Sequence, residues 1–169
     1  MKDLIIMCGL PRSGKTTRAK QLTGYVRISP DDIRQALYNG AYMPRAEAHV
    51  WAMAETMTRA FLIADCPVVV DATFISREHR RRWADLGAEF GLTLTIYFVD
   101  TGYVTCVTRN HGAGAVRMTV IDRMLEHFER PTAEEGNLFT ISKRAAPIIT
   151  ELSFASSQSA NSPTSPPSS

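Results

Sequence analysis

The chain has 169 residues, of which 44% are hydrophobic and 21% are charged, and its formal net charge is +2. These values predict a single soluble globular domain and exclude a chain that is disordered throughout. They also exclude a protein-wide basic field for nucleic acid, so a basic contact surface would have to be local. The three cysteines, Cys8, Cys66 and Cys106, are too scattered for a metal site or a disulfide framework and predict small apolar core residues.

A phosphate-binding loop is predicted near the start of the chain. The apolar run Leu4–Cys8 predicts a buried parallel strand, and residues 9–16 (GLPRSGKT) match the pattern G-x-x-x-x-G-K-T directly after it. The two glycines of the pattern allow backbone N–H groups to turn inward onto phosphate oxygens. Lys15 can reach the β- and γ-phosphates of a nucleotide, and the Thr16 hydroxyl can bind Mg²⁺.

A helix from Thr17 to Leu22 is predicted to follow this loop, and its N-terminus adds free N–H groups and a favourable dipole for phosphate. A chance match in a glycine-rich turn is the alternative, and the strand before and the helix after argue against it. The candidate residues for binding ATP are Gly9, Leu10, Pro11, Arg12, Ser13, Gly14, Lys15, Thr16 and Thr17.

The second strand, predicted at Tyr25–Ser29, leads into a helix that begins at Pro30 and is ended by Asn39 and Gly40. The run SPDDIR puts two carboxylates and an arginine at the carboxyl end of that strand, on the same rim as the loop. Asp31 is the candidate general base for an acceptor hydroxyl, and Arg34, three residues on, is a candidate acceptor contact. Capping of the helix is the alternative role for the two aspartates. Asp32 is favoured as the structural member, although the choice between them stays open.

A long amphipathic helix is predicted after Pro44, and a third strand at Pro67–Asp71 ends in a carboxylate. Asp71 is a candidate for holding Mg²⁺ through water, with a satisfied strand-end aspartate as the alternative. The next helix, Arg77–Phe90, is capped by Ser76 and is rich in arginine. Its arginines predict either a local patch for nucleic-acid phosphates or an ordinary solvated face.

The remaining predicted elements are a strand at Leu92–Val99, a short helix at Tyr103–Arg109, a mobile glycine-rich stretch at 110–115, a helix at Met118–Phe128 and an edge strand at Leu138–Ser142. Arg109 is a candidate for closing over a triphosphate, and a helix C-terminal arginine is the alternative. Strands that alternate with helices predict an α/β fold with a parallel sheet of about five strands and helices on both faces. The active crevice is then expected at the carboxyl ends of the strands.

The predicted folded domain covers residues 1–150, and residues 151–169 are predicted to be a disordered Ser/Pro-rich tail. The last fifteen residues carry no charge and too little apolar surface to offset their ordering entropy. Neither a signal-peptide pattern nor an apolar run of membrane-spanning length is present, so a cytoplasmic location without membrane association is expected.

Four stretches of the sequence together resemble the 5′-kinase domain of polynucleotide kinases, a branch of the P-loop kinases. They are GLPRSGKTT, SPDDIRQALY, VVVDATFISREHRRRWADLGAEFGL and VTRN followed by VIDRMLEHFERPTAEEG, and they cover most of residues 4 to 136. The resemblance implies transfer of the γ-phosphoryl group of ATP, with Mg²⁺, to the 5′-hydroxyl of a nucleic acid or nucleotide. It implies phosphate and metal contacts for Lys15 and Thr16, the general base for Asp31, contact with the acceptor's 3′-phosphate for Arg34, a metal-water contact for Asp71 and a lid position for Arg109.

The sequence departs from this family pattern at two places. Arg12 stands where many members have glycine, and residues 111–115 lack the arginine that the family lid usually carries, while Arg117 stands where proline is usual. Two alternative functions therefore stay open beside a 5′-hydroxyl kinase. One is a kinase for a small molecule such as a nucleoside, sugar or antibiotic, and the other is a non-catalytic ATP-binding module.

Overall fold

A five-stranded parallel sheet forms the centre of the part of the chain that the structure describes. The structure is a computed structural model and describes residues 2–112 and 114–142. The strands are β1 (Leu4–Cys8), β2 (Val26–Ile28), β3 (Val68–Val70), β4 (Thr95–Asp100) and β5 (Asn137–Ser142), in the order β2-β3-β1-β4-β5. The predicted parallel sheet is confirmed. The predicted tail at 151–169 and the end of the predicted domain lie outside the described residues.

The helices lie close to their predicted positions. They are α1 (Lys15–Gln21), α2 (Pro30–Tyr38), α3 (Glu47–Ile63), α4 (Arg77–Glu89), α5 (Tyr103–Thr108) and α6 (Met118–Glu126), with short 3₁₀ turns at Pro44–Ala46 and Ala133–Glu135. Ser29 and Ser76 cap α2 and α4, since their hydroxyls accept hydrogen bonds from the backbone N–H groups of Asp32 (3.4 Å) and His79 (3.3 Å). None of the described helices has both the length and the apolarity needed to cross a membrane.

Strand β1 lies at the centre of the core because it is apolar on both of its faces. Leu4, Ile6 and Cys8 pack into a large cluster with side chains from α3 and α4, whereas Ile5 and Met7 pack on the other face with Ala19 of α1. Helices therefore cover both faces of the sheet, as predicted. Because all the strands are parallel, the loops that follow β1, β2, β3 and β4 meet at one edge.

The arginine-rich helix α4 does not present all of its arginines to solvent. The Arg80 side chain is completely buried, and its guanidinium donates to both carboxylate oxygens of Glu135 (2.6 and 3.1 Å). It also donates to the backbone carbonyls of Phe74 and Glu129, each at 2.9 Å. Arg80 is therefore a structural residue, and only Arg77, Arg81 and Arg82 of this helix are exposed arginines.

Candidate active site

The loop between β1 and α1 has the backbone conformation that its two glycines permit. Gly9 has φ +143°, and a Cβ at this position would lie 2.8 Å from the carbonyl oxygen of Val99. Gly14 has φ +107° and sits in the left-handed region at the N-cap of α1. The helix begins at Lys15 rather than at the predicted Thr17, so the lysine of the motif belongs to its first turn.

Lys15 folds back over this loop. Its Nζ donates hydrogen bonds to the carbonyl of Leu10 (2.7 Å) and the hydroxyl of Ser13 (3.5 Å), and the residue is only 7% exposed. Burial lowers the pKa of Lys15 to about 8, although the negative charge of Asp71 opposes the shift. An anion in the loop would favour the charged ammonium, so phosphate binding and the protonation of Lys15 are coupled.

A wide cleft of about 620 Å³ opens on one side of the loop. Residues 12–17 line it, together with α1, the end of β4, β5 and Arg109. Arg109 follows α5, and its guanidinium donates to the backbone carbonyl of Ser13 (3.3 Å), to which the Thr101 hydroxyl also donates (2.9 Å). The predicted lid residue Arg109 therefore contacts the phosphate loop.

A narrow cleft of about 320 Å³ opens on the other side of the loop. It is lined by Asp31 and Arg34 of α2, by Trp51 of α3 and by the residues that follow β3, including Asp71 and Thr73. Three side chains of the phosphate loop, Arg12, Lys15 and Thr16, line both clefts. The phosphate loop is therefore a shared wall between two separate spaces.

Arg34 is held in the narrow cleft by two carboxylates. Its Nε and one terminal nitrogen donate to the two carboxylate oxygens of Glu47 (2.8 and 2.7 Å), and the other terminal nitrogen pairs with Asp31. The bidentate pair with Glu47 orients the guanidinium firmly. Sequence reasoning missed Glu47, and its only signal was a lone carboxylate in the first turn of α3.

The two neighbouring aspartates of α2 differ in their surroundings. The Asp32 carboxylate pairs with Arg27 at 2.5 Å and is not among the residues that line the narrow cleft, whereas Asp31 is. The Nε of Arg27 also donates to one oxygen of the buried Asp71 (2.8 Å), and a terminal nitrogen of Arg27 forms an ion pair with the same oxygen at 2.8 Å. Arg27, which sequence reasoning also missed, thus joins Asp32 to Asp71.

Arg12 connects the phosphate loop to the glycine-rich segment after α5. Its Nε donates to the side-chain oxygen of Asn110 (3.4 Å), and a terminal nitrogen donates to the His111 carbonyl (3.5 Å). Asn110 in turn bonds both backbone groups of Val116, at 2.6 and 2.8 Å, and so closes this segment into a loop. Arg117 is exposed at the N-terminus of α6 and lines neither cleft.

Two oxygen groups in the narrow cleft fit a Mg²⁺ ion. The Thr16 hydroxyl and the Asp71 carboxylate both line this cleft, and hard oxygen ligands that leave room for several waters are what Mg²⁺ prefers. Within residues 2–112 and 114–142, no group of three or more His, Cys, Asp or Glu side chains could hold a metal by themselves. The donor set therefore suits an ion bound partly by water and by the phosphates of a nucleotide.

The chain is similar to several known proteins. A protein of Autographa californica nuclear polyhedrosis virus named "Putative bifunctional polynucleotide kinase/RNA ligase" is 27% identical over 124 residues, which are 65% of this chain and 18% of that protein. A chain of the Pnkp1/Rnl/Hen1 RNA repair complex superposes with a TM-score of 0.67 at 23% identity, covering 75% of this chain and 43% of that one. The chain thus spans less than half the length of these two relatives.

A sugar kinase from Janibacter sp. HTCC2649 superposes with a TM-score of 0.66 at 13% identity, covering 86% of this chain and 88% of that one. These likenesses confirm that the fold is that of the P-loop kinases. Residues 4–131 also match the model of the family described as AAA domain. Because that match covers well over half of the chain and includes the phosphate loop and both clefts' main walls, the chain belongs to the AAA domain family.

Proposed function

We propose that the protein is a kinase that transfers the γ-phosphoryl group of ATP to the 5′-hydroxyl of a nucleotide or polynucleotide. The observation that carries this proposal is the pair of clefts that share Arg12, Lys15 and Thr16 as a wall. A kinase needs a donor and an acceptor on opposite sides of the transferred group, held in line. The wide cleft is the proposed site of ATP, and the narrow cleft is that of the acceptor.

Asp31 is the proposed general base. It lines the narrow cleft and pairs there with Arg34, whereas Asp32 pairs with Arg27 and does not line this cleft. In the reaction the acceptor hydroxyl oxygen forms a bond to the γ-phosphorus, and the bond from that phosphorus to the β–γ bridging oxygen breaks. The hydroxyl proton passes to the Asp31 carboxylate, and ADP leaves.

Cations around the loop would stabilise the charge on the transferred group. Lys15 lines both clefts and would contact the β- and γ-phosphates, and Arg109 contacts the loop from the wide cleft. Thr16 and Asp71 would hold Mg²⁺, which supplies further charge neutralisation on the phosphate oxygens when bound. Arg34, fixed by Glu47, would orient an anionic acceptor such as a nucleotide 3′-phosphate.

A small-molecule kinase is the second candidate function. Its support is the sugar kinase that matches nearly the whole of both chains, together with the modest volume of the narrow cleft, about 320 Å³. The narrow cleft is lined by three cations, Arg12, Lys15 and Arg34, against two carboxylates, which favours an acceptor that carries a phosphate over a neutral sugar.

The experiment that tests the proposal measures transfer of labelled γ-phosphate from ATP with Mg²⁺. The acceptors are a 5′-hydroxyl oligonucleotide, a 3′-nucleoside monophosphate and a pool of nucleosides and sugars, and the Lys15→Ala protein is the control. We expect label on the first two acceptors and none with the control. Label on free metabolites alone would support the second candidate, and ATP binding without transfer to any acceptor would support a binding module.

The choice of base is tested by a matched pair of variants. We expect Asp31→Asn to lower kcat by about a hundredfold or more, which is the usual contribution of a positioned general base. Asp32→Asn, which removes the same charge one residue away, should change kcat by less than about threefold. The measurement is steady-state transfer to the best acceptor, and the opposite ranking of the two variants would reassign the base to Asp32.

A further inference from the structure

A second groove runs beside the narrow cleft between helices α3 and α4. It encloses about 460 Å³ and is lined by Ala48, Trp51, Ala52 and Glu55 on one side and by Ser76, Glu78, His79 and Arg82 on the other. We call it the α3–α4 groove. None of the residues assigned to phosphoryl transfer lines it, so the proposed function leaves it unexplained.

Trp51 belongs to both the narrow cleft and the α3–α4 groove. It lies four residues after Glu47, which fixes Arg34, and four residues before Glu55, so the three side chains follow one face of α3. Each step of four residues advances about 6 Å along a helix. A chain-like ligand anchored at Arg34 would therefore pass over Trp51 and enter the groove.

The walls of the groove offer a stacking surface. Trp51 is partly exposed, and its ring packs edge-on against His79, with the ring centroids 4.3 Å apart. Burial lowers the pKa of His79 to about 4, so the imidazole is neutral at physiological pH. The small side chains of Ala48 and Ala52 leave room on the α3 side. Aromatic rings with open space beside them are what an unpaired nucleobase stacks on.

The groove also carries a cation that a phosphate can recruit. The Arg82 side chain is 66% exposed and pairs with Glu55 only at 3.5 Å. An exposed ion pair of this kind is weak, so Arg82 can pair with a phosphate instead of Glu55 with little loss of free energy. Glu55 and Glu78 both line the groove and disfavour an anion near them, so among its lining residues only Arg82 offers a cation to a phosphate.

We propose that the α3–α4 groove binds the second nucleotide of a single-stranded acceptor, with its base against Trp51 and its 3′-phosphate facing Arg82. This inference rests on the proposed function for the first nucleotide, which occupies the narrow cleft with its 3′-phosphate at Arg34. It specifies the acceptor as an oligonucleotide rather than a mononucleotide or a sugar.

The first test is binding, which does not depend on phosphoryl transfer. A 5′-hydroxyl tetranucleotide with a dye at its 3′-end is titrated with protein, and the anisotropy gives Kd. We expect Arg82→Ala to weaken binding about threefold or more. Arg81→Ala is the matched control, because Arg81 is the exposed neighbour on α4 that does not line the groove. If Arg82 acted only through long-range charge, both substitutions would raise Kd for the tetranucleotide equally. Equal changes in Kd would overturn the proposal.

The second test compares acceptors of increasing length in the kinase assay. We expect kcat/KM to rise about tenfold from a 3′-nucleoside monophosphate to a dinucleotide with a 3′-phosphate, as one added base stack implies. Little further gain should come from a longer strand. The ratio of dinucleotide to mononucleotide should fall in Trp51→Ala and be largely restored in Trp51→Phe, and thermal unfolding of both variants checks that they fold.

The outcomes separate the two proposals. Equal kcat/KM for the mononucleotide and the dinucleotide would overturn the groove assignment and leave the kinase assignment intact. Absence of transfer to every acceptor, with the Arg82 and Arg81 variants still differing in tetranucleotide Kd, would overturn the kinase assignment and support the groove. Absence of both would overturn both.

Discussion

Lys15 shows how one residue connects the loop conformation with electrostatics. The fold buries its ammonium among backbone carbonyls, and burial lowers its pKa from 10.5 to about 8. A buried charge without a full counter-charge costs stability, which a phosphate ligand would restore. The protein is thus destabilised at a position where a bound anion would restore the lost stability, as is common at functional sites.

This cost predicts a pH-dependent difference in stability between the wild type and Lys15→Met. Between pH 8 and 10.5 the unfolded lysine binds more protons than the folded one, so the contribution of Lys15 to stability rises with pH. At pH 7 we expect Lys15→Met to have a higher free energy of unfolding than the wild type. This difference between the two proteins should be about 2 kcal/mol smaller at pH 10. Urea unfolding of both proteins at the two pH values measures it. A gap independent of pH would show that Lys15 titrates at its ordinary pKa.

Arg12 is a residue with two unusual properties. Its φ of +63° lies in the left-handed region, which costs a non-glycine residue about 1 kcal/mol or more. Its guanidinium nonetheless lines both clefts and reaches the segment that Asn110 closes. A glycine at this position would remove the backbone strain, but it would also remove the contact with Asn110. The arginine therefore links the phosphate loop to the segment that Asn110 closes.

At the scale of elements, helix α4 is fixed to the rest of the fold by the buried pair of Arg80 and Glu135. The pair joins α4 to the turn before β5, and two carbonyls complete the hydrogen bonds of the guanidinium. The Arg80 side chain thus joins α4 to Phe74, Glu129 and Glu135, which lie outside the α-helices and strands. The turn held by this pair leads directly into β5, which pairs with β4 and forms one wall of the wide cleft.

Removing Arg80 should therefore be far more costly than removing its exposed neighbour. We expect Arg80→Met to lower the free energy of unfolding by about 3 kcal/mol, because the partly buried Glu135 then keeps only its longer ion pair with Arg77, at 3.7 Å. Arg81→Met should stay within about 0.5 kcal/mol of the wild type. Chemical unfolding measures both. The double variant Arg80→Met/Glu135→Gln should recover part of the loss, and a failure to recover any of it would place the cost in packing rather than in the ion pair.

The apolar pattern of helix α3 predicts part of its buried face incorrectly. Apolar residues at helical spacing, Met57 and Ala60 among them, predict the buried face of this helix, yet Met57 is 38% exposed and Ala60 is also exposed. Thr58 and Leu62 are buried instead. The Thr58 hydroxyl donates to the carbonyl of Ala54 at 2.8 Å, so a polar residue is buried without loss of hydrogen bonding.

At the scale of the molecule, the two clefts on either side of the phosphate loop predict that donor and acceptor affinity can be changed separately. We expect Arg109→Ala to raise KM for ATP about tenfold with a smaller change in KM for the acceptor, because Arg109 lines only the wide cleft. Arg34→Ala should do the reverse, since it lines only the narrow cleft. Steady-state kinetics with each substrate varied in turn measures both. If either variant raised the two KM values equally, the assignment of one substrate to each cleft would be wrong.

The sequence by itself determined the elements whose signals are local. The strand, glycine loop and helix at residues 4–21 follow from an apolar run, two glycines at fixed spacing and a lysine, and the parallel sheet follows from the alternation of strands and helices. The cap at Ser76 was equally readable, because a cap depends on neighbours three residues away. The cap of α2 is Ser29 and not one of the two aspartates considered for that role.

Only the tertiary structure decided how the side chains of the site are paired. Arg34 meets Glu47 across 13 residues, Arg27 meets Asp71 across 44 and Arg12 meets Asn110 across 98. The fold also pairs Asp31 with Arg34 and Asp32 with Arg27, and it brings Trp51 to the edge of the narrow cleft. The physical reason is that a charge or an aromatic ring has no preferred partner along the chain. The parallel sheet and the helices packed on it determine which partner comes within reach, and with it the shape of the two clefts.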